Sequence, residues 1–139
     1  MDKYKGKKIL IVNVASKCGL TPQYSELETL FQKYSDQLII LAFPSNDFLR
    51  QEPGSNEEIS NFCATTYPIS FPLFEKIKVK GSKKHHIFDW LSDASQNGWN
   101  KQGPSWNFTK YLIDENGKLI KRFSPRTTPL SQSIIELLE

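Results

Sequence analysis

Apolar residues fall along this chain in two rhythms. Lys8–Val14 (KILIVNV) and Leu38–Phe43 (LIILAF) are nearly continuous apolar runs rich in β-branched residues, as in strands covered on both faces. Between them Tyr24, Leu27, Leu30, Phe31 and Tyr34 recur at helical spacing. That spacing predicts a helix over 22–34, with Thr21 as N-cap and Pro22 as its first residue. Ser55, with Glu58 three residues later, carries a capping-box signature. The helix it opens presents Ile59, Phe62, Cys63 and Tyr67 on one face, and Pro68 and Pro72 end it. His86–Asp93 predicts a short helix with Ile87, Trp90 and Leu91 turned inward. Tyr111–Asp114 and Lys118–Phe123, joined through Glu115-Asn116-Gly117, predict a hairpin, because Asn-Gly suits a tight turn. Pro129–Leu138 closes the chain as an amphipathic helix through Leu130, Ile134, Leu137 and Leu138.

The order is therefore β-α-β-α, an irregular stretch with a short helix, then β-β-α. Strands joined through a helix pair in parallel, and the hairpin adds antiparallel neighbours. This predicts an α/β, thioredoxin-like fold, a mixed β-sheet flanked by helices on both faces. The 139 residues have room for a single domain over 1–139. A fold of this kind does not by itself specify a reaction.

Charge and composition narrow the function classes. Lys and Arg total 18 against 15 acidic residues, a net charge of +3, too mild for a dedicated nucleic-acid binder. Lys78, Lys80, Lys83 and Lys84 around Gly81 read as a solvated loop. No apolar run approaches the ~20 residues of a membrane span. Met1–Lys8 is charged and leads straight into a strand, with no secretory signal. His85 and His86 are adjacent and lack paired carboxylates, so neither a metal nor a cofactor is expected.

The chemistry rests on two cysteines, too few for a disulfide scaffold. Cys18 lies in Ala15-Ser16-Lys17-Cys18-Gly19-Leu20-Thr21-Pro22, between the first strand and the first helix. A turn there sets sulfur near a helix N-terminus, where free N–H groups and the macrodipole favour the nucleophilic thiolate. Lys17 adds positive charge, and Gly19 allows backbone to approach closely. A small buried hydrophobe is the other reading of such a cysteine. No second cysteine stands at C-x-x-C spacing, which excludes a thioredoxin-type dithiol. Cys63, in Asn61-Phe62-Cys63-Ala64-Thr65-Thr66-Tyr67, reads from its own surroundings as a packing cysteine on the second helix.

Three ordered segments go further. Val12-Asn13-Val14-Ala15-Ser16-Lys17-Cys18-Gly19, then Phe43-Pro44-Ser45-Asn46 with Gln51-Glu52-Pro53-Gly54, then Trp106-Asn107-Phe108-Thr109-Lys110-Tyr111-Leu112 resemble the motifs of the glutathione peroxidase family. The similarity runs from about Tyr4 to the C-terminus. The resemblance implies a thiol-dependent peroxidase that reduces hydrogen peroxide or organic and lipid hydroperoxides. It implies a catalytic group of Cys18, Gln51, Trp106 and Asn107, whose amide and indole N–H donors suit a thiolate and a departing oxygen. It further implies that Cys63 is a resolving cysteine, as in non-selenium members. Cys63 would attack the Cys18 sulfenic acid to give a disulfide that thioredoxin, or alternatively glutathione, reduces.

Several positions depart from the family pattern. Cysteine stands where many animal members carry selenocysteine, and Ser45 where many have another cysteine. Asp47-Phe48-Leu49-Arg50 replaces an Asn-Gln-Phe-Gly-Gly-like stretch. The resemblance also implies a further N-terminal segment that is not in this sequence, and a targeting signal could have been lost with it; the cytoplasm is the default expectation. A tetramer-supporting loop is missing around Gly81–His86, which implies a monomer. Two rival functions fit the same cysteines or fold: a peroxide-sensing relay that oxidises a partner protein, and an inactive thioredoxin-fold binding module.

Overall fold

A computed structural model describes Tyr4 and residues 6–139. The other opening residues, read above as a charged lead-in, lie outside the described residues. The elements are β1 (Lys8–Val14), α1 (Gln23–Tyr34), β2 (Leu38–Pro44), α2 (Asn56–Thr65), α3 (His86–Leu91), α4 (Ala94–Asn97), β3 (Lys110–Ile113), β4 (Leu119–Phe123) and α5 (Gln132–Ile135). One four-stranded sheet runs in the order β2-β1-β3-β4. β1 pairs β2 in parallel, from Lys8 beside Leu38 to Val14 beside Pro44. β3 runs antiparallel to both β1 and β4. This is the thioredoxin-like mixed sheet expected from the order of elements.

The two central strands explain their continuous apolar runs. All of β2 and six of the seven residues of β1 are buried, because helices cover both faces. Alternation along β1 sends Leu10, Val12 and Val14 into a core with Tyr24, Leu27 and Leu30 of α1, Cys63 of α2 and Ile134 of α5. Ile9 and Ile11 go to the opposite core with Phe88 and Leu91 of α3.

Local differences from the sequence reading have physical causes. Helix α1 starts at Gln23, and Pro22 makes no side-chain cap. Thr21 is not a cap because its hydroxyl is used elsewhere, as described below. In α3 the inward residues are Phe88 and Leu91, whereas Ile87 and Trp90 are only half-buried. The helix is one and a half turns long and pivots on Phe88, which meets Phe43 edge-on at 5.7 Å between ring centroids. The β3–β4 turn is wider than a two-residue hairpin. Asp114 Oδ1 accepts from the N–H groups of both Asn116 and Lys118, and Gly117 takes φ +82°. At the C-terminus, regular helix covers only Gln132–Ile135. The capping box at Ser55 is present as predicted, with Glu58 N–H donating to Ser55 Oγ and Ser55 N–H to Glu58 Oε1.

Candidate active site

β1 ends at Val14, and the chain must turn before α1 can begin. Thr21 ties that turn. Its hydroxyl donates to Ala15 O at 2.7 Å and accepts from Cys18 N–H at 2.9 Å, while Thr21 N–H donates to Cys18 O at 3.0 Å. The loop thus closes on itself with Cys18 at its apex, and Cys18 is 8% exposed.

The donor that meets the sulfur is Leu20 N–H, 3.3 Å from Cys18 Sγ. This corrects the expectation that the N-terminus of α1 serves the thiolate. The N–H groups of Gln23, Tyr24 and Ser25 are taken by Leu20, Thr21 and Pro22 carbonyls, so they do not face sulfur. A loop amide supplies the contact at sulfur instead.

The second loop reaches this apex through backbone. Lys17 N–H donates to Gln51 O at 2.9 Å, which fixes Gln51 beside Cys18. That loop is itself pinned. Asn46 Oδ1 accepts from Glu52 N–H, Asp47 Oδ2 from Val79 N–H, and Lys76 Nζ donates to Glu52 O at 3.1 Å. Leu49 and Arg50 hold φ +51° and +52°, left-handed backbone in the stretch where the family pattern has glycines.

The third segment arrives ahead of β3. Phe108 N–H donates to Asn13 O at 2.6 Å, and Asn13 Nδ2 donates to Trp106 O at 3.1 Å. Trp106 packs its ring on Phe48 with centroids 5.5 Å apart. Phe108 pays for this clamp with φ +66° and is fully buried against Tyr24.

Cys18, Gly19, Leu20, Gln51, Ser105, Trp106 and Arg126 line one cleft of about 680 Å³. Of the four residues singled out in the sequence, three therefore share this cleft. Asn107 is set behind it, fully buried, with Nδ2 donating to Gln51 Oε1 at 2.9 Å. Its Oδ1 has no hydrogen-bond partner. That contact occupies the Gln51 carbonyl and leaves the Gln51 NH₂ free for the cleft. A larger groove of about 810 Å³ lies over the opposite core, lined by Ile9, Ile11, Phe43, His85 and Trp90. It holds neither cysteine, so the candidate chemistry stays at the smaller cleft.

Cys63 lies on the inner face of α2, 3% exposed, and both cysteines are free thiols. Burial pushes the Cys63 thiol up, the neighbouring Tyr24 hydroxyl draws it down, and the Glu52 carboxylate adds a further upward push. Glu52 itself is 1% exposed, and burial raises its carboxyl despite the opposing pull of Ser16, Lys76 and Lys17. Ser16 Oγ is close enough to act on that carboxyl but not within good hydrogen-bond geometry. Leu20, Thr21, Glu52 and Tyr24 were not read from the sequence as site residues, Thr21 and Tyr24 being taken only as helix cap and helix face. Glu52 was readable as a carboxylate inside an otherwise neutral motif; Leu20 acts through its backbone and carries no signal. Among the described residues no group of His, Cys, Asp and Glu could hold a metal ion. No described helix is long and apolar enough to cross a membrane.

Sheet order and helix placement define a thioredoxin-like fold. Solved structures agree on the fold: the chain superposes on a thiol:disulfide interchange protein from Chlorobium tepidum with a TM-score of 0.60 at 16% identity, covering 99% of this chain and 83% of that one. It superposes on Trypanosoma cruzi GPX1 with a TM-score of 0.71 at 34% identity, covering 99% and 86%. The family model for glutathione peroxidase matches residues 1–92. The glutathione peroxidase homolog BsaA of Halalkalibacterium halodurans is 49% identical, over 99% of this chain and 89% of its own length. Glutathione peroxidase-like peroxiredoxin 2 of Saccharomyces cerevisiae is also 49% identical, over 99% and 86%. The chain belongs to the glutathione peroxidase family and is a thiol peroxidase.

Proposed function

We propose that Cys18 is the peroxidatic nucleophile and Cys63 the resolving thiol, with thioredoxin as the reductant. The observation that carries this reading is Cys18 at the apex of a tied loop, its sulfur met by Leu20 N–H and open to a cleft shared with Gln51 and Trp106. The Cys18 thiolate attacks one peroxide oxygen, the S–O bond of a sulfenic acid forms as the O–O bond breaks, and the departing hydroxide or alkoxide takes its proton from water. The free Gln51 NH₂ and the Trp106 indole stabilise that departing charge, and Asn107 holds Gln51 in place. The Cys63 thiol then attacks the Cys18 sulfenic acid: the S–S bond forms as the S–O bond breaks, and the oxygen leaves as water with the thiol proton.

Cys63 faces the core, so resolution requires α2 to open. The helix buries only Ile59 and Cys63 along its ten residues, a small apolar investment that suits local unfolding. A disulfide needs Cα atoms within about 7 Å, and the opened segment carries Cys63 to the cleft and exposes the bond to thioredoxin. Glutathione-only reduction is the competing reading. The test is NADPH oxidation coupled to thioredoxin or to glutathione, with hydrogen peroxide as substrate. Cys18→Ser abolishes peroxide consumption. Cys63→Ser keeps one turnover, accumulates Cys18 sulfenic acid and loses thioredoxin-supported cycling. Full thioredoxin cycling in Cys63→Ser would return Cys63 to a packing role.

A further inference from the structure

The cleft around Cys18 is much larger than hydrogen peroxide needs. Its volume of about 680 Å³ falls in the range of pockets that hold small organic ligands, about 300–1,000 Å³. Leu20, Trp106 and Pro125 give it apolar walls, and Arg126 is the one charged residue in its lining. No carboxylate lines the cleft to neutralise that charge or to repel an anion. The hydroperoxide group itself takes up only the space at Cys18, Gln51 and Trp106. The remainder is left for whatever the hydroperoxide is attached to.

The backbone of Arg126 is firmly placed. Ser124, Pro125, Arg126 and Thr127 form a turn after β4, in which Thr127 N–H donates to Ser124 O at 3.1 Å and the Ser124 and Thr127 hydroxyls lie 3.0 Å apart. Proline at the second position presets the backbone angle that such a turn requires. The turn is anchored from α1 and β3, because Pro125 O accepts from Gln23 Nε2 at 2.8 Å and from Lys110 Nζ at 3.2 Å. The Arg126 side chain is the opposite. It is exposed and has no hydrogen bond, ion pair or ring contact among the described residues. Arg122 shows the contrast, its Nη2 donating to Gly103 O and its guanidinium lying against the Tyr111 ring. An unpaired guanidinium keeps its planar fork of N–H donors, which matches the two oxygens of a carboxylate.

We propose that Arg126 is a carboxylate subsite of the peroxide cleft, so that among organic hydroperoxides the chain selects those that carry a carboxylate. This rests on the reading of Cys18 as the peroxidatic nucleophile. The hydroperoxide end of the substrate meets the sulfur while its carboxylate pairs with the Arg126 guanidinium in the same cleft. A two-point pair of this kind orients the substrate as well as attracting it. Because Arg126 is exposed to water, the selection is modest and sensitive to salt.

The test compares a straight-chain hydroperoxyoctanoic acid with its methyl ester, which keeps the hydroperoxide and the chain but loses the charge. Stopped-flow oxidation of reduced protein gives a rate constant for each with no reductant present, so a reductant's own carboxylates do not enter. Arg126→Gln lowers the acid-to-ester ratio of rate constants by about five- to tenfold. Arg126→Lys, which keeps the charge and loses the fork, retains part of the ratio. Any loss common to both substrates, a change in folding included, cancels in the ratio. In the unsubstituted protein the ratio falls as salt is raised to about 0.5 M, a measurement that needs no variant. An unchanged ratio in Arg126→Gln overturns the proposal, and so does a ratio that salt leaves unaltered. If Cys18→Ser consumes both peroxides at the unsubstituted rate, the Cys18 reading falls first; if Cys18 is oxidised and Arg126→Gln leaves the ratio intact, only the Arg126 assignment falls.

Discussion

Replacing Lys110 by Met removes a cation that the fold holds at full burial. Lys110 is 0% exposed, and its Nζ donates to Phe108 O at 2.7 Å and to Pro125 O at 3.2 Å. Two carbonyls do not replace water around an ammonium. Burial lowers its pKa from 10.5 to about 7, with Glu26 pulling weakly the other way. Below about pH 7 folded and unfolded chains both carry the proton, so the folded state bears the whole cost. Between about 7 and 10.5 the unfolded chain binds a proton that the folded one does not, and stability rises with pH by about 1.4 kcal/mol per unit. The full span of the shift corresponds to about 5 kcal/mol as an upper figure, and pH 7.5 to 9.5 samples about 2.5 kcal/mol of it. Urea unfolding of reduced protein and of Lys110→Met across that range measures it, and the difference between the two cancels the other titrating groups. The unsubstituted protein gains on the variant as pH rises. A difference that stays flat from pH 7.5 to 9.5 refutes the reasoning and means the amine keeps its proton through folding.

Two more outcomes follow from the same geometry. Asn107→Ala frees the Gln51 carbonyl and lets its amide rotate, so peroxide consumption falls by about 10²-fold while thioredoxin reduction of preformed disulfide is unchanged; stopped-flow oxidation of reduced protein checks the first part. Leu49→Gly relieves left-handed backbone at a side chain that is 78% exposed; relief of about 1–2 kcal/mol less the added chain entropy of about 0.5–1 kcal/mol leaves a small gain in thermal stability, and a lower Tm would contradict it.

Much of the fold was legible because burial on both faces leaves a plain mark. The apolar runs Lys8–Val14 and Leu38–Phe43 read as strands covered on both faces, and β1 and β2 pair in parallel as expected. The Ser55 capping box was readable because its two hydrogen bonds belong to residues three apart. Legibility ended where a side chain had two possible employers. Thr21 before Pro22 looks like a cap, yet its hydroxyl serves the Cys18 loop, a partner six residues back that periodicity does not reveal. Phe88 and not Trp90 anchors α3 because Phe43 waits across the gap, a tertiary fact absent from a one-and-a-half-turn helix. At the site, the motifs brought Cys18, Gln51, Trp106 and Asn107 forward as equals. Their division into a cleft lining and a supporting amide depends on which atom of Gln51 is already occupied, and that appears only in three dimensions.

The two cysteines sit on supports of opposite character, and that difference orders the proposed cycle. Cys18 is fixed from three sides: Thr21 within its own loop, the Gln51 carbonyl through Lys17, and the Leu20 amide at sulfur. A nucleophile held this way needs no rearrangement before it meets peroxide, so oxidation draws on preorganisation. Cys63 sits on a helix that buries two residues, but the helix is tethered at both ends. At its start Asn56 Oδ1 accepts from Lys76 N–H at 2.8 Å, and beyond the C-terminus Ser70 N–H donates to Glu28 of α1 at 2.7 Å. Opening therefore releases a short bounded segment rather than the domain edge, and a short loop keeps the closure entropy of bringing Cys63 to Cys18 small. Tyr24 weighs on the closed side, stacking on Tyr67 at 5.8 Å and tilting against Phe62 at 6.5 Å. The same aromatic cluster that keeps α2 shut thus covers the buried Glu52–Tyr24–Cys63 group. In the proposed cycle, the bond from Cys63 to oxidised Cys18 has to offset this lost stacking.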